Sequence, residues 1–93
     1  MPPNKFTDHP RPMGLDGYHR NKDLEKQINL NILSLFSSPT GKEVLKYLRS
    51  ITIEVVYGDN VTDAVLRHAE GQRYLIGLIE RRMVQGHKDK QDG

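Results

Sequence analysis

From Val61 to Val84 one stripe returns every three or four residues. Val65, Ala69, Gln72, Ile76, Ile79 and Met83 lie 4, 3, 4, 3 and 4 apart, and Leu66, Leu75 and Leu78 widen it. That is the period of a helix, not the alternation of a strand. Asn60 or Thr62 can cap its start. Asp63 suits the positive end of the helix dipole, Arg81 and Arg82 suit the negative end, and Gly86 reads as the stop. Gly71 interrupts the middle at a cost of about 1 kcal/mol relative to alanine. With the small Ala69 nearby, it reads as a place where another helix, of this chain or of a partner, approaches closely. Glu70 and Arg73 can pair across one turn. Arg73 is also placed to reach an acidic partner or a carbonyl of the preceding loop.

Two shorter helical patterns come before it. Leu24, Ile28, Ile32 and Leu35, with Leu33 and Phe36 beside them, predict a helix over 23–36 that Asn21 or Asp23 can cap. Asn29, Asn31 and Ser34 fall on its other side. Ser38-Pro39 is a helix start, a capping hydroxyl followed by proline at the first helical position. It predicts a second helix over 39–51 with Val44, Leu45, Leu48 and Ile51 as its apolar face. Lys42, Lys46 and Arg49 form a basic stripe roughly opposite, to be read as a solvated face or as contact with an acidic partner or phosphates. Ile51 to Tyr57 is β-branched and locally favours extension. A lone strand has no partner here, so the expectation is a loop or short extended segment, closed by the turn Gly58-Asp59-Asn60.

The first 22 residues break the pattern. Pro2, Pro3, Pro10 and Pro12 disfavour a helix, and Phe6, Met13, Leu15 and Tyr18 are too sparse for a core. The segment reads either as a disordered tail or as an arm that orders on a neighbouring subunit, with Phe6, Leu15 and Tyr18 as anchors. On that second reading, removing residues 1–20 spares the fold and impairs docking. The organisation expected is an extended or flexible N-terminal arm over 1–22, a helical module over 23–86 and a polar tail over 87–93. The fold class expected is a small all-α three-helix module, with the first two helices as a hairpin against the Val65/Ala69/Ile76/Ile79 face.

Composition sharpens this. Ninety-three residues, 35% of them hydrophobic and none of them cysteine, make a single domain with a small core and no disulfide to support it. Oligomerisation or docking is the remaining way to bury more surface. The net charge of +2 lies wholly in residues 1–22, because the rest of the chain balances. That is too little for a clustered basic face of the kind nucleic-acid binding needs. No apolar run approaches membrane-span length, and the N-terminal stretch has no signal-peptide core. Gly41-Lys42 fails as a phosphate loop, since Phe36 and Glu43 stand where a glycine and a hydroxyl residue are required. His9, His19, His68 and His87 are scattered, and no nucleophile, metal set or cofactor motif stands out. The chain is therefore expected not to be an enzyme and to use no cofactor.

Phe36, Thr40-Gly41, Val44-Leu45, Glu70-Gly71, Arg73 and Ile79, in this order over about residues 33–80, resemble a family of small proteins encoded beside the capsid and portal genes of tailed bacteriophages, of the Bordetella-phage type. The resemblance implies a virion component or assembly factor rather than a reaction. The function expected is a non-enzymatic structural or assembly protein of the virion, put together in the host cytoplasm. It would dock to a portal, adaptor, tail or capsid protein and be present as a homo-oligomer or in multiple copies on a symmetric assembly. Its partner-binding residues would be Phe6, Leu15, Tyr18, Lys42, Lys46, Arg49, Gly71 and Arg73. The alternative is a small nucleic-acid-binding module or regulator that uses the basic arm and the Lys42/Lys46/Arg49 stripe.

Overall fold

The structure, a computed structural model, describes residues 11–92. Three helices follow one another: α1 (Lys22–Ser37), α2 (Pro39–Ser50) and α3 (Asp63–Asp92). The all-α expectation holds, and no strand occurs among the described residues. The only β pairing there is a single antiparallel bridge between Met13 and His19.

Each helix start has a side-chain cap. The Asn21 carboxamide oxygen accepts from the amides of Asp23 and Leu24. The Ser38 hydroxyl accepts from the Gly41 amide, with Pro39 at the first helical position. Thr62 Oγ1 accepts from the Val65 amide at 3.2 Å. α1 and α2 meet at a tight corner, where a Cβ on the buried Gly41 would collide with the Leu35 carbonyl oxygen. Here glycine serves packing, not phosphate binding.

α3 does not stop at Gly86 but runs on to Asp92, so the polar tail expected from residue 87 is helical through residue 92. Gly86 is buried where α3 lies against α1. A Cβ there would sit 2.8 Å from the Asn29 carbonyl oxygen and 3.0 Å from the Leu33 Cβ. Gly71, expected at a close approach, has nothing within 4 Å of where its Cβ would be. Within this chain the close approach suggested at Gly71 falls at Gly86 instead.

The inward face of α1 also differs from expectation. Asn29 and Leu33 are its buried residues, while Leu24 and Leu35 are exposed. Asn29 was expected on the outer side. It turns inward because a buried arginine of α3 needs it there.

The connection 51–62 is irregular, as expected, beginning with turns over 51–54. The buried hydrophobic residues are few: Leu33, Leu45, Ala69 and Ile76. The molecule is broad and thin, 51 × 36 × 15 Å. Its radius of gyration is 16.9 Å, against about 12 Å for a compact domain of this length. At about 1.5 Å per residue the 30-residue α3 is nearly twice as long as α1. Its N-terminal half therefore projects past α1, and Val65, Leu66, Tyr74 and Leu75 are exposed along it.

Candidate docking site

Two features decide which surface is free. One is a polar knot that fixes the N-terminal segment, and the other is a loop held to α3. What they do not cover is the candidate docking site.

The knot centres on Arg82, whose side chain is only 3% exposed. One guanidinium nitrogen donates to Glu25 Oε2 at 2.9 Å and to Asn29 Oδ1 at 2.8 Å. The other donates to Asp16 Oδ2 at 3.2 Å. Asn29 uses its second group as well, donating from Nδ2 to Asp89 Oδ2 at 3.0 Å, and Gln85 Nε2 donates to Asp89 Oδ1 at 3.0 Å. Arg20 grips Asp16 through both terminal nitrogens, at 2.7 and 2.5 Å, and reaches Glu25 Oε1 at 3.1 Å. A buried charge with every partner in place is tolerated, whereas one left alone is costly.

The acids respond accordingly. The Arg20 guanidinium, helped by the Tyr18 amide, holds the Asp16 carboxyl far below the usual range. Burial opposes ionisation of Glu25, but the Leu15 amide and Arg82 outweigh it, and the net shift is downward. Asp89 is lowered by the donors Asn29 and Gln85.

The second half of the expected arm is therefore part of the module. Residues 12–20 form a closed hairpin, with the Gly14 amide donating to the Tyr18 carbonyl and the Arg20 amide to the Pro12 carbonyl. Gly17 takes a positive φ of 89° at its tip. The Leu15 amide donates to Glu25 Oε2, and the Leu15 carbonyl accepts from Arg81 at 2.9 Å. The hairpin adheres because the acidic Asp16 and the basic Arg20 complete a charge set begun by Glu25 and Arg82. Pattern alone gives Arg82 only a dipole role near the helix end. One signal was present: Arg82 lies four residues after Leu78 and seven after Leu75, on the widened stripe.

Arg73 holds the loop. Its Nε donates to the Thr52 carbonyl at 3.1 Å and one terminal nitrogen to the Val55 carbonyl at 2.7 Å. A Glu70 contact at 3.3 Å and the Tyr57 ring, 5.5 Å from the guanidinium, complete its surroundings. Of the two uses expected for Arg73, the carbonyl of the preceding loop is the one seen. Arg49 is likewise engaged, donating to both Glu80 oxygens at 2.8 and 2.7 Å.

The remaining expected partner residues divide simply. Tyr18, Lys42, Lys46 and Gly71 are exposed, Leu15 is half-buried, and Phe6 lies outside the described residues. Lys42, Lys46 and Arg49 share a groove with Phe36, Leu45 and Met83, but Gly71 and Tyr18 lie elsewhere and the residues do not form one site. Sequence reasoning missed the exposed part of α2, where Val44, Tyr47 and Ile51 face solvent and only Leu45 of the expected apolar face is buried. Among the described residues no acidic or histidine cluster is arranged to hold a metal ion, and no helix is long and apolar enough to cross a membrane.

The fold and surface define a small helical module that leaves more large hydrophobic residues exposed than it buries. The profile of the Bbp19-like phage protein family matches residues 32–91, about two thirds of the chain, and the chain belongs to that family. The match takes in all of α2 and all but the last residue of α3, and it leaves out the hairpin and the first ten of the sixteen residues of α1. No curated protein and no solved structure matches.

Proposed function

We propose that this phage protein is a non-enzymatic structural or assembly component of a tailed-bacteriophage virion, docking to a portal, adaptor, tail or capsid protein through its helical faces. The observation that carries the reading is the ratio of exposed to buried apolar side chains. Four hydrophobic residues are buried, while Val44, Tyr47, Ile51, Val65, Tyr74 and Leu75 are among the large ones left in solvent. Contiguous exposed apolar residues, as Val44, Tyr47 and Ile51 along α2, mark a surface that is covered in the working state. In this reading the hairpin over 12–20 belongs to the module, and any reach toward a neighbour begins upstream of it.

The nucleic-acid alternative draws on the basic arm and on Lys42, Lys46 and Arg49. Arg49 spends its charge on Glu80 and Glu54, leaving two lysines for phosphates. The test is capture of purified portal, adaptor, tail and capsid proteins by the immobilised chain, beside a duplex DNA control, at low and high salt. Capture of one of these proteins that survives high salt is expected. DNA binding that falls steeply with salt, and no protein capture, would overturn the proposal.

A further inference from the structure

The groove between α2 and the other two helices joins an apolar floor to a charged rim. Phe36 of α1, Leu45 of α2 and Met83 of α3 make the floor, with Leu45 buried and the other two half-buried. Lys42, Lys46, Arg49 and Glu54 stand at the rim. The volume, about 270 Å³, falls just below the ~300–1,000 Å³ of small-molecule pockets and suits a few anchoring side chains. The Val44, Tyr47 and Ile51 side of the same helix carries no such charge, and it is the charge that says what covers the groove.

The rim charges are of two kinds. Arg49 is spent: it donates to both Glu80 oxygens, and Glu54 lies 3.8 Å from its Nε. Lys42 and Lys46 are exposed, and among the described residues neither is paired with a carboxylate. Glu43 is next to Lys42 in sequence but lies about 100° round the helix from it and about 60° from Lys46, outside the groove. The first turn of α2 has no acid, and its free amides add positive charge at the Lys42 end. The groove is therefore basic at one end and balanced at the other.

We infer that this groove seats an acidic amphipathic segment of a partner protein. A large apolar side chain of that segment rests on Phe36, Leu45 and Met83, and two carboxylates meet Lys42 and Lys46. The two lysines are one turn apart, about 6 Å along the axis. Carboxylates four residues apart on a partner helix, or two apart on an extended strand, have that spacing. Both halves of the groove are then used: the floor supplies burial, and the lysines fix the direction in which the segment lies. A phosphate backbone would meet the two amines and leave the floor bare. The inference deepens the docking proposal. It rests on that reading for the partner's place in the virion and adds the chemistry of the segment bound.

The experiment is selection from a random peptide library on the immobilised full chain, wild type beside Lys42→Glu/Lys46→Glu, followed by anisotropy titration of the best enriched peptide. The wild-type chain is expected to enrich peptides with a large apolar residue beside two acids. Lys42→Glu/Lys46→Glu should bind that peptide about tenfold more weakly or worse, with an unchanged far-ultraviolet circular dichroism spectrum. Lys88→Glu, away from the groove, should bind it as wild type does. Glutamine in place of the peptide's acids, or alanine in place of its apolar anchor, should cost as much. Those peptide changes leave the chain untouched and decide the matter should the double variant fail to fold. No enrichment would overturn the inference, as would enriched peptides without acids or equal binding by Lys42→Glu/Lys46→Glu. Displacement of the peptide by duplex DNA or by a second copy of this chain would overturn it too. A chain that enriches acidic peptides but captures no virion protein keeps the groove and sinks the docking proposal. Capture of a virion protein that is equally strong in Lys42→Glu/Lys46→Glu does the reverse.

Discussion

Arg82 is buried with three polar partners from two parts of the chain: Asp16 from the hairpin, and Glu25 and Asn29 from successive turns of α1. Truncating it takes one donor from Glu25, which keeps Arg20 and the Leu15 amide, and leaves the buried Asn29 carboxamide oxygen without one. Arg82→Ala should cost about 3–5 kcal/mol in urea denaturation, the usual penalty for breaking one side of a buried pair. The glycines give a prediction of opposite signs. Gly71→Ala should stabilise by up to about 1 kcal/mol, because the new methyl meets open space and alanine is the better helix former. Gly86→Ala should destabilise despite the same propensity gain, because its methyl meets the Asn29 carbonyl at 2.8 Å. Equal effects at the two sites would contradict the crossing point. Sequence shows that a central glycine has a cost but not which glycine a neighbour approaches. Carrying the 3-4 spacing on from Ile76, Ile79 and Met83 does land on Gly86, and the expectation of a helix stop there hid that.

The elements were largely legible, for local reasons. Caps at Asn21, Ser38 and Thr62 depend on side chains within three residues, and the helix starts follow from them. Periodicity identified α2 and α3, but it assigned inside and outside by hydrophobicity alone. That fails on α1, where Asn29 is buried and Leu24 and Leu35 are not, since the deciding group, Arg82, is more than fifty residues away. The loop 51–60 is irregular as its sequence implies, but which of its carbonyls Arg73 takes is not legible there. Its β-branched residues favour extension, yet Thr52 and Val55 give their carbonyls to Arg73. Arg73→Ala should therefore speed amide hydrogen exchange across residues 51–60 and leave α1 unchanged. Exchange that stays slow there would mean that Arg73 does not hold the loop.

The hairpin, α1 and α3 are tied together by acids kept ionised. Asp16, Glu25 and Asp89 all have their pKa values lowered by folding. Their contribution is present above the unfolded values, near 4, and is lost as pH falls toward the folded ones. The thermal midpoint should be flat from pH 8 to 6 and drop from about pH 5 downward, and Glu25→Gln should flatten that drop. The same knot revises the expectation that removing residues 1–20 spares the fold. That truncation deletes Asp16 and Arg20, so it should lower the midpoint, whereas removing residues 1–10 should not disturb the hairpin.

The docking role belongs to this scale too. It rests on a thin module, 15 Å in its smallest dimension, with more large hydrophobic residues exposed than buried among those described. The direct measurement is the number of copies of this chain per purified phage particle, by quantitative mass spectrometry against the portal and capsid proteins. A fixed copy number that is retained through high-salt washing is the predicted result. A chain found only free in the lysate, or removed from particles by salt, would contradict the account.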